Sequence, residues 1–435
     1  MKFNKICVLG LGYIGLPTAS TFATHGLRVA GVDINPQIVS MLQNGELHIY
    51  EPGLRTLVQA ALKSGNLTIG AQPEPADAFI IAVPTPFFEE QHGTYQGQPY
   101  RLADLRAVTS AAQAIVPHLR KGNLVVLEST SPPRTTVDLL IPILEQSGLR
   151  AGEDFHLCYS PERVLPGQIL RELIENARVI GGIDRLSAEA GRDLYAIFVR
   201  GEIVLTDATT AEMVKLMENT YRDVNIAIAN EFARLAERFG VDVWEAIALA
   251  NRHPRVQILR PGPGVGGHCI SVDPWFFVEA APDLARLIHA ARQVNDAQPH
   301  HVISLIRQAL GALNGKRLAA LGLAFKPDVD DLRESPAVEI VRALQQAGAQ
   351  VAAYEPFKLQ PDLPGIAARP TLEAALAEAE ALLFLVGHNQ FRQLDPSSLA
   401  ALTPARLVVD VVNVCQPSAW QAAGFRLVRL GVGKN

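Results

Sequence analysis

Near its start the chain carries a short apolar run, Lys5–Leu9, without polar alternation, as expected of a strand buried on both faces. Gly10 interrupts it, a helical stretch follows over about Pro17–Thr24, and Leu27–Val32 reads as strand again. Ala78–Val83 and Leu124–Leu127 are further buried-strand candidates. Strands alternating with helices predict a parallel sheet wrapped by helices. The last third repeats the plan. Arg317–Leu321 runs into Gly322, Gln350–Tyr354 ends at Glu355, Leu382–Val386 ends at Gly387, and Leu407–Val409 ends at Asp410. Between the two, the period changes to that of a helix. Thr209–Phe239 contains no Pro and no Gly, and a helix of about 30 residues spans about 45 Å. Such a helix suits a connector and a dimer seam. Phe87–Arg101 shows neither period and reads as a loop. The expected fold is α/β, with two doubly wound units joined by a long central helix and a helical middle.

Composition narrows the possibilities. The 435 residues predict about three domains, and 48% hydrophobic against 19% charged residues is too apolar for disorder. A formal charge of −5 gives no basic field for nucleic acid or an anionic membrane. Cys7, Cys158, Cys269 and Cys415 lie far apart with no CxxC pair, which argues against a disulfide framework or a thiolate zinc site and fits a reducing cytosol. No apolar run reaches the roughly 18 residues a membrane helix needs. Lys2 and Lys5 before an apolar stretch superficially suggest a signal peptide, but no cleavage-like segment follows. A soluble, cytoplasmic protein is expected.

Chemistry enters at the first turn. Gly10-Leu11-Gly12-Tyr13-Ile14-Gly15 is a G-x-G-x-x-G that follows a strand, opens a helix and leads to Asp33 at the end of the next strand. The glycines allow a tight turn, close approach to a pyrophosphate, and tight helix–strand packing. The helix N-terminus offers N–H groups to the phosphates. Asp33 would accept hydrogen bonds from ribose hydroxyls and repel a 2′-phosphate, so a Rossmann-like unit binding NAD rather than NADP is expected. The corresponding turn of the last third, Gly322 to Pro327, lacks this glycine pattern, so a second dinucleotide site is not expected. No G-x-x-x-x-G-K-[ST] phosphate loop is present.

Lys215, Asn219 and Arg222 fall at i, i+4 and i+7, on one helix face otherwise lined by apolar residues. Spacing alone favours a solvated or salt-bridged face. The segment Pro261-Gly262-Pro263-Gly264-Val265-Gly266-Gly267-His268-Cys269 changes the balance. It ends a glycine-rich loop with a cysteine, where backbone can approach a ligand closely. The other three cysteines sit in apolar settings and read as small core residues. His268 beside Cys269 has poor geometry for a shared metal and no third partner, so no metal is expected. NAD with a thiol suggests an alcohol taken to a carboxylate through a thioester, which needs two hydride transfers and covalent capture of an aldehyde.

Over essentially its whole length the chain resembles the UDP-glucose/UDP-N-acetylmannosamine dehydrogenase family. The resemblance is carried by Val8–Pro17, Ala82-Val83-Pro84-Thr85-Pro86, Glu128-Ser129-Thr130, Tyr159–Gly167, Ala211–Lys215, Asn251–Arg255, the cysteine loop through Asp273-Pro274-Trp275, and Phe325-Lys326-Pro327 with Leu332–Pro336. It implies an NAD-binding domain over about 1–205, a helical dimerisation domain over 206–300, and a UDP-sugar-binding domain over 315–435. By the same resemblance Cys269 is the nucleophile and Lys215 an acid/base or oxyanion stabiliser. Asn219 and Asp273 orient water and intermediates, and Glu162 assists thioester hydrolysis. Tyr13, Ile14, Asp33, Thr85 and Thr130 would surround NAD, with Arg333 near it. Arg163, Val164, Arg222, His253, Arg255, Gly266, Phe325 and Lys326 would hold the UDP-sugar together with Lys215 and Asn219. Arginine and lysine suit its diphosphate.

Two departures from the family stand out. Pro133-Arg134 replaces a common Val-Gly, and the Phe87–Arg101 segment is longer than usual. The Pro-Glu-Arg-Val-Leu-Pro-Gly and Asn-Arg-His-Pro-Arg stretches favour an N-acetylmannosamine substrate over UDP-N-acetylglucosamine or UDP-glucose. A non-catalytic nucleotide-binding regulator has no need of Cys269, Lys215 and Asn219 together. A one-step hydroxyacid dehydrogenase would leave Cys269 without a purpose.

Overall fold

The computed structural model describes residues 1–165, 167–267, 269–359 and 361–433. The chain divides into two compact units, Met1–Glu218 with Trp275–Leu284, and Asn219–Pro274 with Ala285–Asn435.

In the first unit β1 (Lys5–Leu9), β2 (Arg28–Val32), β3 (Leu67–Gly70), β4 (Ala78–Ile81), β7 (Leu124–Leu127), β8 (His156–Tyr159), β9 (Arg178–Gly182) and β10 (Ile203–Asp207) form one sheet. Their order is β10-β9-β8-β7-β4-β1-β2-β3. From β3 to β8 all pairings are parallel, in the doubly wound order with a switch point between β1 and β4. β9 turns antiparallel to β8, and β10 follows β9. Successive side chains point to opposite faces, and both faces are covered. Ile6, Val8, Ile80 and Val126 lie in one core cluster, while Cys7, Leu9, Phe79, Ile81 and Val125 lie in another. That double burial is why these strands read as unbroken apolar runs.

The segment 87–101, expected as a loop, is instead an antiparallel hairpin of β5 (Phe87–Tyr95) and β6 (Gln98–Ala103). Its two turn residues, Gln96 and Gly97, have φ of 50° and 79°, the mirror-image turn that matches strand twist. Gly93 lies under the Tyr100 ring, where a Cβ would come within 2.2 Å of a ring carbon. Most of β5 is exposed, so no apolar alternation marked it in the sequence.

In the second unit β11 (Arg317–Leu321), β12 (Gln350–Tyr354), β13 (Ala367–Ala368), β14 (Ala381–Phe384), β15 (Leu407–Asp410) and β16 (Arg426–Arg429) form an all-parallel sheet in the order β13-β12-β11-β14-β15-β16. This repeats the doubly wound order. In both units a carboxylate closes the first turn. The Leu11 N–H donates to Asp33 at 3.0 Å, and the Leu323 and Ala324 N–H groups donate to Glu355 at 2.7 and 2.9 Å.

The long helix runs over Ala208–Phe239, 32 residues or about 48 Å. Gly240, at φ 75°, ends it, and the Val241 N–H reaches back to the Ala236 carbonyl at 2.9 Å. No helix among the described residues is long and apolar enough to cross a membrane.

Candidate active site

The glycine turn has the stereochemistry a dinucleotide needs. Gly10 sits at φ 92°, and a Cβ there would meet the Ala82 carbonyl at 2.5 Å. At Gly15 a Cβ would lie 1.8 Å from the Gly10 carbonyl oxygen, so the helix can close on the strand only without a side chain. Gly12 faces open space, with nothing within 4 Å of its ideal Cβ. The helix Gly15–Thr24 that follows has no side-chain cap and no acidic residue in its first turn, leaving its N-terminal dipole for an anion. Asp33 accepts from the Leu11 and Asn35 N–H groups at 3.0 and 2.9 Å, which fixes its carboxylate at the turn. Tyr13 is exposed and Ile14 half-buried beside it. These residues fit NAD. The sequence reading passed over His48, which lies close enough to Asp33 for the carboxylate to favour its charged form, while burial lowers its pKa more strongly.

The ends of β4 and β7 bring Thr85 and Thr130 together, with the Thr85 hydroxyl donating to the Thr130 carbonyl at 2.7 Å. Ser129 donates to the Val83 carbonyl at 2.7 Å. Glu162, just past β8, is almost enclosed. Its carboxylate accepts from the Arg163 N–H at 2.7 Å and from the Arg178 guanidinium at 3.1 Å. Arg163 itself pairs with Glu218 at 2.6 Å, and Val164 packs on the first unit's core. Arg178, which no sequence motif picked out, forms a buried ion pair with Glu128. Lys215 lies buried on the long helix, one turn before Asn219.

In the second unit Asn219 joins two other expected site residues. Its amide donates to the Asp273 carboxylate, and its carbonyl accepts from Arg222. Asn219 and Asp273 are both buried, whereas Arg222 is exposed. The polar stripe is therefore a hydrogen-bonded network rather than a solvated face. The Asp273 N–H in turn donates to the Cys269 carbonyl at 2.8 Å, which seats the cysteine at a helix start.

The cysteine loop is held along its length. Gly262 donates to Asn230 at 2.9 Å and accepts from Gln298 at 3.0 Å. The Gly267 N–H donates to the Arg333 carbonyl at 3.2 Å. A Cβ on Gly266 would strike the Glu334 carbonyl at 2.2 Å, and one on Gly267 would strike the Phe325 ring at 2.6 Å. Gly266, Phe325 and the backbone of Arg333 are thus brought together by close packing that only glycine permits. The Arg333 guanidinium is clamped by Asp331 at 2.6 Å. Lys326 leans over the Phe325 ring at 5.5 Å. His253 and Arg255 are exposed on the segment before the cysteine loop. Pro166 and His268, the residue weighed as a metal ligand, lie outside the described residues.

The four cysteines separate cleanly. Cys7, Cys158 and Cys415 are buried and Cys269 is exposed. Burial pushes the Cys7 thiol up to about 11 and the Cys158 thiol up to about 12, and it raises Cys415 as well, so all three stay protonated and inert.

Comparison with known proteins agrees with this arrangement. Three models of the UDP-glucose/GDP-mannose dehydrogenase family match in series: the NAD binding domain over residues 4–199, the central domain over 209–297 and the UDP binding domain over 319–417. The chain is similar to the UDP-N-acetyl-D-mannosamine dehydrogenase of Methanococcus maripaludis, 45% identical over 435 residues that cover 99% of this chain and 97% of that protein. It is also similar to the NDP-N-acetyl-D-galactosaminuronic acid dehydrogenase of Ralstonia solanacearum, 49% identical over 94% of this chain and 96% of that protein. Among solved structures, the UDP-N-acetyl-mannosamine dehydrogenase of Staphylococcus aureus superposes with a TM-score of 0.88 at 43% identity, covering 99% of each chain. The chain belongs to the UDP-glucose/GDP-mannose dehydrogenase family, and it is an NAD-dependent oxidoreductase.

Proposed function

We propose that the protein oxidises the C6 hydroxyl of UDP-N-acetyl-D-mannosamine to a carboxylate, reducing two NAD⁺ per sugar. The carrying observation is the contrast among the cysteines. Three are buried with raised thiol pKa values, while Cys269 is exposed on a glycine-rich loop beside Asp273. NAD⁺ held at the Gly10–Gly15 turn and Asp33 supplies the hydride acceptor. Lys215, or a water it holds, takes the C6 hydroxyl proton. The Cys269 sulfur then adds to the aldehyde carbon, and the thiol proton passes to the carbonyl oxygen. After the second oxidation the carbon is a thioester. Water adds to it, the C–S bond breaks and the thiolate leaves. Glu162 receives the water proton, while Asn219 and Asp273 orient the polar groups. The side chains of Arg163, Arg222, His253, Arg255, Phe325 and Lys326, with Val164 and Gly266, are assigned to the UDP-sugar.

The choice of sugar is supported by relatives named for N-acetylmannosamine, including those from Methanococcus maripaludis and Staphylococcus aureus. The Ralstonia relatives at 49% identity support a second reading, an N-acetylgalactosamine-type sugar, which differs from N-acetylmannosamine at C2 and C4 but carries the same C6 alcohol. A homodimer is proposed from the long helix. Tyr221, Ile228, Phe232, Leu235 and Phe239 are exposed at spacings of 7, 4, 3 and 4 residues, which is one continuous apolar stripe. Four free cysteines, three of them buried, support a reducing cytoplasm. A panel of UDP-sugars with NADH counted per sugar tests the reading. Two NADH with the mannosamine sugar alone are expected. One NADH per sugar, or preference for another epimer, overturns it.

A further inference from the structure

Three charged groups meet where β7, β8 and β9 end or begin. Arg178 opens β9 and is only 5% exposed. Its guanidinium divides three ways. Nη2 donates to Glu128 at 2.5 Å, Nη1 to Glu162 at 3.1 Å, and Nε to the Ser160 hydroxyl at 2.9 Å. The guanidinium also lies 3.8 Å from the centre of the Tyr195 ring. Glu128, one residue past β7, is fully buried. It accepts from the Tyr195 hydroxyl at 3.0 Å and, more weakly at 3.5 Å, from the Thr18 hydroxyl of the helix behind the glycine turn.

One positive charge therefore serves two carboxylates, and they are not equivalent. Glu128 is closed off from water, and burial pushes its pKa up to about 7 despite the guanidinium beside it. Glu162 is the more exposed of the two, at 8%. Both its oxygens are held, one by Arg178 and one by the Arg163 N–H. Among the described residues, Arg178 on β9, Glu128 after β7, Glu162, Cys158 on β8 and Tyr195 on the helix Arg185–Tyr195 act on one another here, and Arg163, next to Glu162, is paired with Glu218. Cys158 and Tyr195 are both raised by burial and stay neutral, and Arg178 is the cation that bonds to both carboxylates.

We propose that Arg178 is a positioning residue for the hydrolytic step: its three-way fork aims the Glu162 carboxylate, while Glu128 locks the fork in place. The proposal rests on the reading that Glu162 accepts the proton of the water that attacks the thioester.

The test follows kcat against pH, together with the pre-steady-state burst of NADH. In Arg178→Met the acidic limb should move up by about one unit or more, because a carboxylate that loses an adjacent cation is harder to ionise. Below the limb a one-unit shift is a tenfold loss of rate. The burst of two NADH per site should keep its rate, with slowed steady-state turnover behind it. Arg178→Lys, which keeps the charge, should return the limb towards the wild-type position. Glu128→Gln breaks the same buried pair but removes a negative charge, so its limb should stay or move down. A mere structural strut would make the two pair-breaking variants behave alike. An upward shift in Glu128→Gln, or an unmoved limb with an equally slowed burst in Arg178→Met, overturns the proposal. Should Arg178→Met fail to fold, the Glu128→Gln and Arg178→Lys limbs decide it. Glu162→Gln isolates the underlying reading. If it leaves the limb and turnover intact, the role of Glu162 itself is lost, independently of how the Arg178 variants behave.

Discussion

Two glycines three residues apart should fail for different reasons when each becomes alanine. At Gly15 the new methyl would sit 1.8 Å from the Gly10 carbonyl oxygen, far inside van der Waals contact, and both partners are backbone. The helix Gly15–Thr24, buried along nearly its whole length, would have to slide off the sheet. Overpacking of this kind costs about 1–3 kcal/mol and more where the backbone must move, so about 3 kcal/mol is expected. At Gly12 the methyl meets nothing within 4 Å, and the backbone is not in the left-handed region. There the substitution should leave stability unchanged or raise it by about 0.4–1 kcal/mol through the unfolded chain. On the proposed reading, the space it fills is where the pyrophosphate approaches the backbone. NAD affinity should fall at least tenfold, equivalent to about 1.4 kcal/mol. Thermal unfolding and calorimetric titration with NAD on both variants separate the two effects. Wild-type NAD affinity in Gly12→Ala, or equal destabilisation in the two variants, would refute this assignment of the turn.

Asp33→Ala should weaken NAD binding and relax discrimination against NADP, and competition binding with both nucleotides checks this. Cys269→Ser should leave NAD and UDP-sugar binding near wild type while two-NADH turnover collapses, because a hydroxyl is a poor nucleophile at neutral pH. Near-normal turnover by that variant would make the thiol structural. Phe232→Glu, in the middle of the exposed stripe, should convert a micromolar dimer to monomer in light scattering; a monomeric wild type would remove the dimer from the reading.

What the sequence made legible is what neighbouring residues encode together. β1, β7, β11 and β12 lie where their apolar runs placed them, because burial on both faces leaves no polar position inside the strand. The glycine turn was legible for the same reason: Gly10, Gly12 and Gly15 answer to one local geometry. The hairpin β5–β6 was not, because most of β5 is exposed and its turn uses Gln96-Gly97 rather than a stronger Asn-Gly signal. The polar stripe on the long helix was half legible. Spacing put Asn219 and Arg222 on one face, but only the fold shows that Asn219 is buried and bonded to Asp273, 54 residues away.

Least legible of all was the Glu128–Arg178–Glu162 cluster. Its members lie 34 and 16 residues apart and meet only through the register that pairs β7 with β8 and β8 with β9. No period links them: Glu128 and Glu162 fall in separate family motifs, and Arg178, taken alone, reads as an ordinary charge. A buried charge is tolerated only when others neutralise it, so Arg178 at the start of β9 constrains what can stand at 128 and 162. Such a constraint belongs to the folded sheet rather than to any stretch of chain. Groups of this kind are where a structure adds chemistry that motif reading leaves out, and here they surround a carboxylate that motif reading had already singled out.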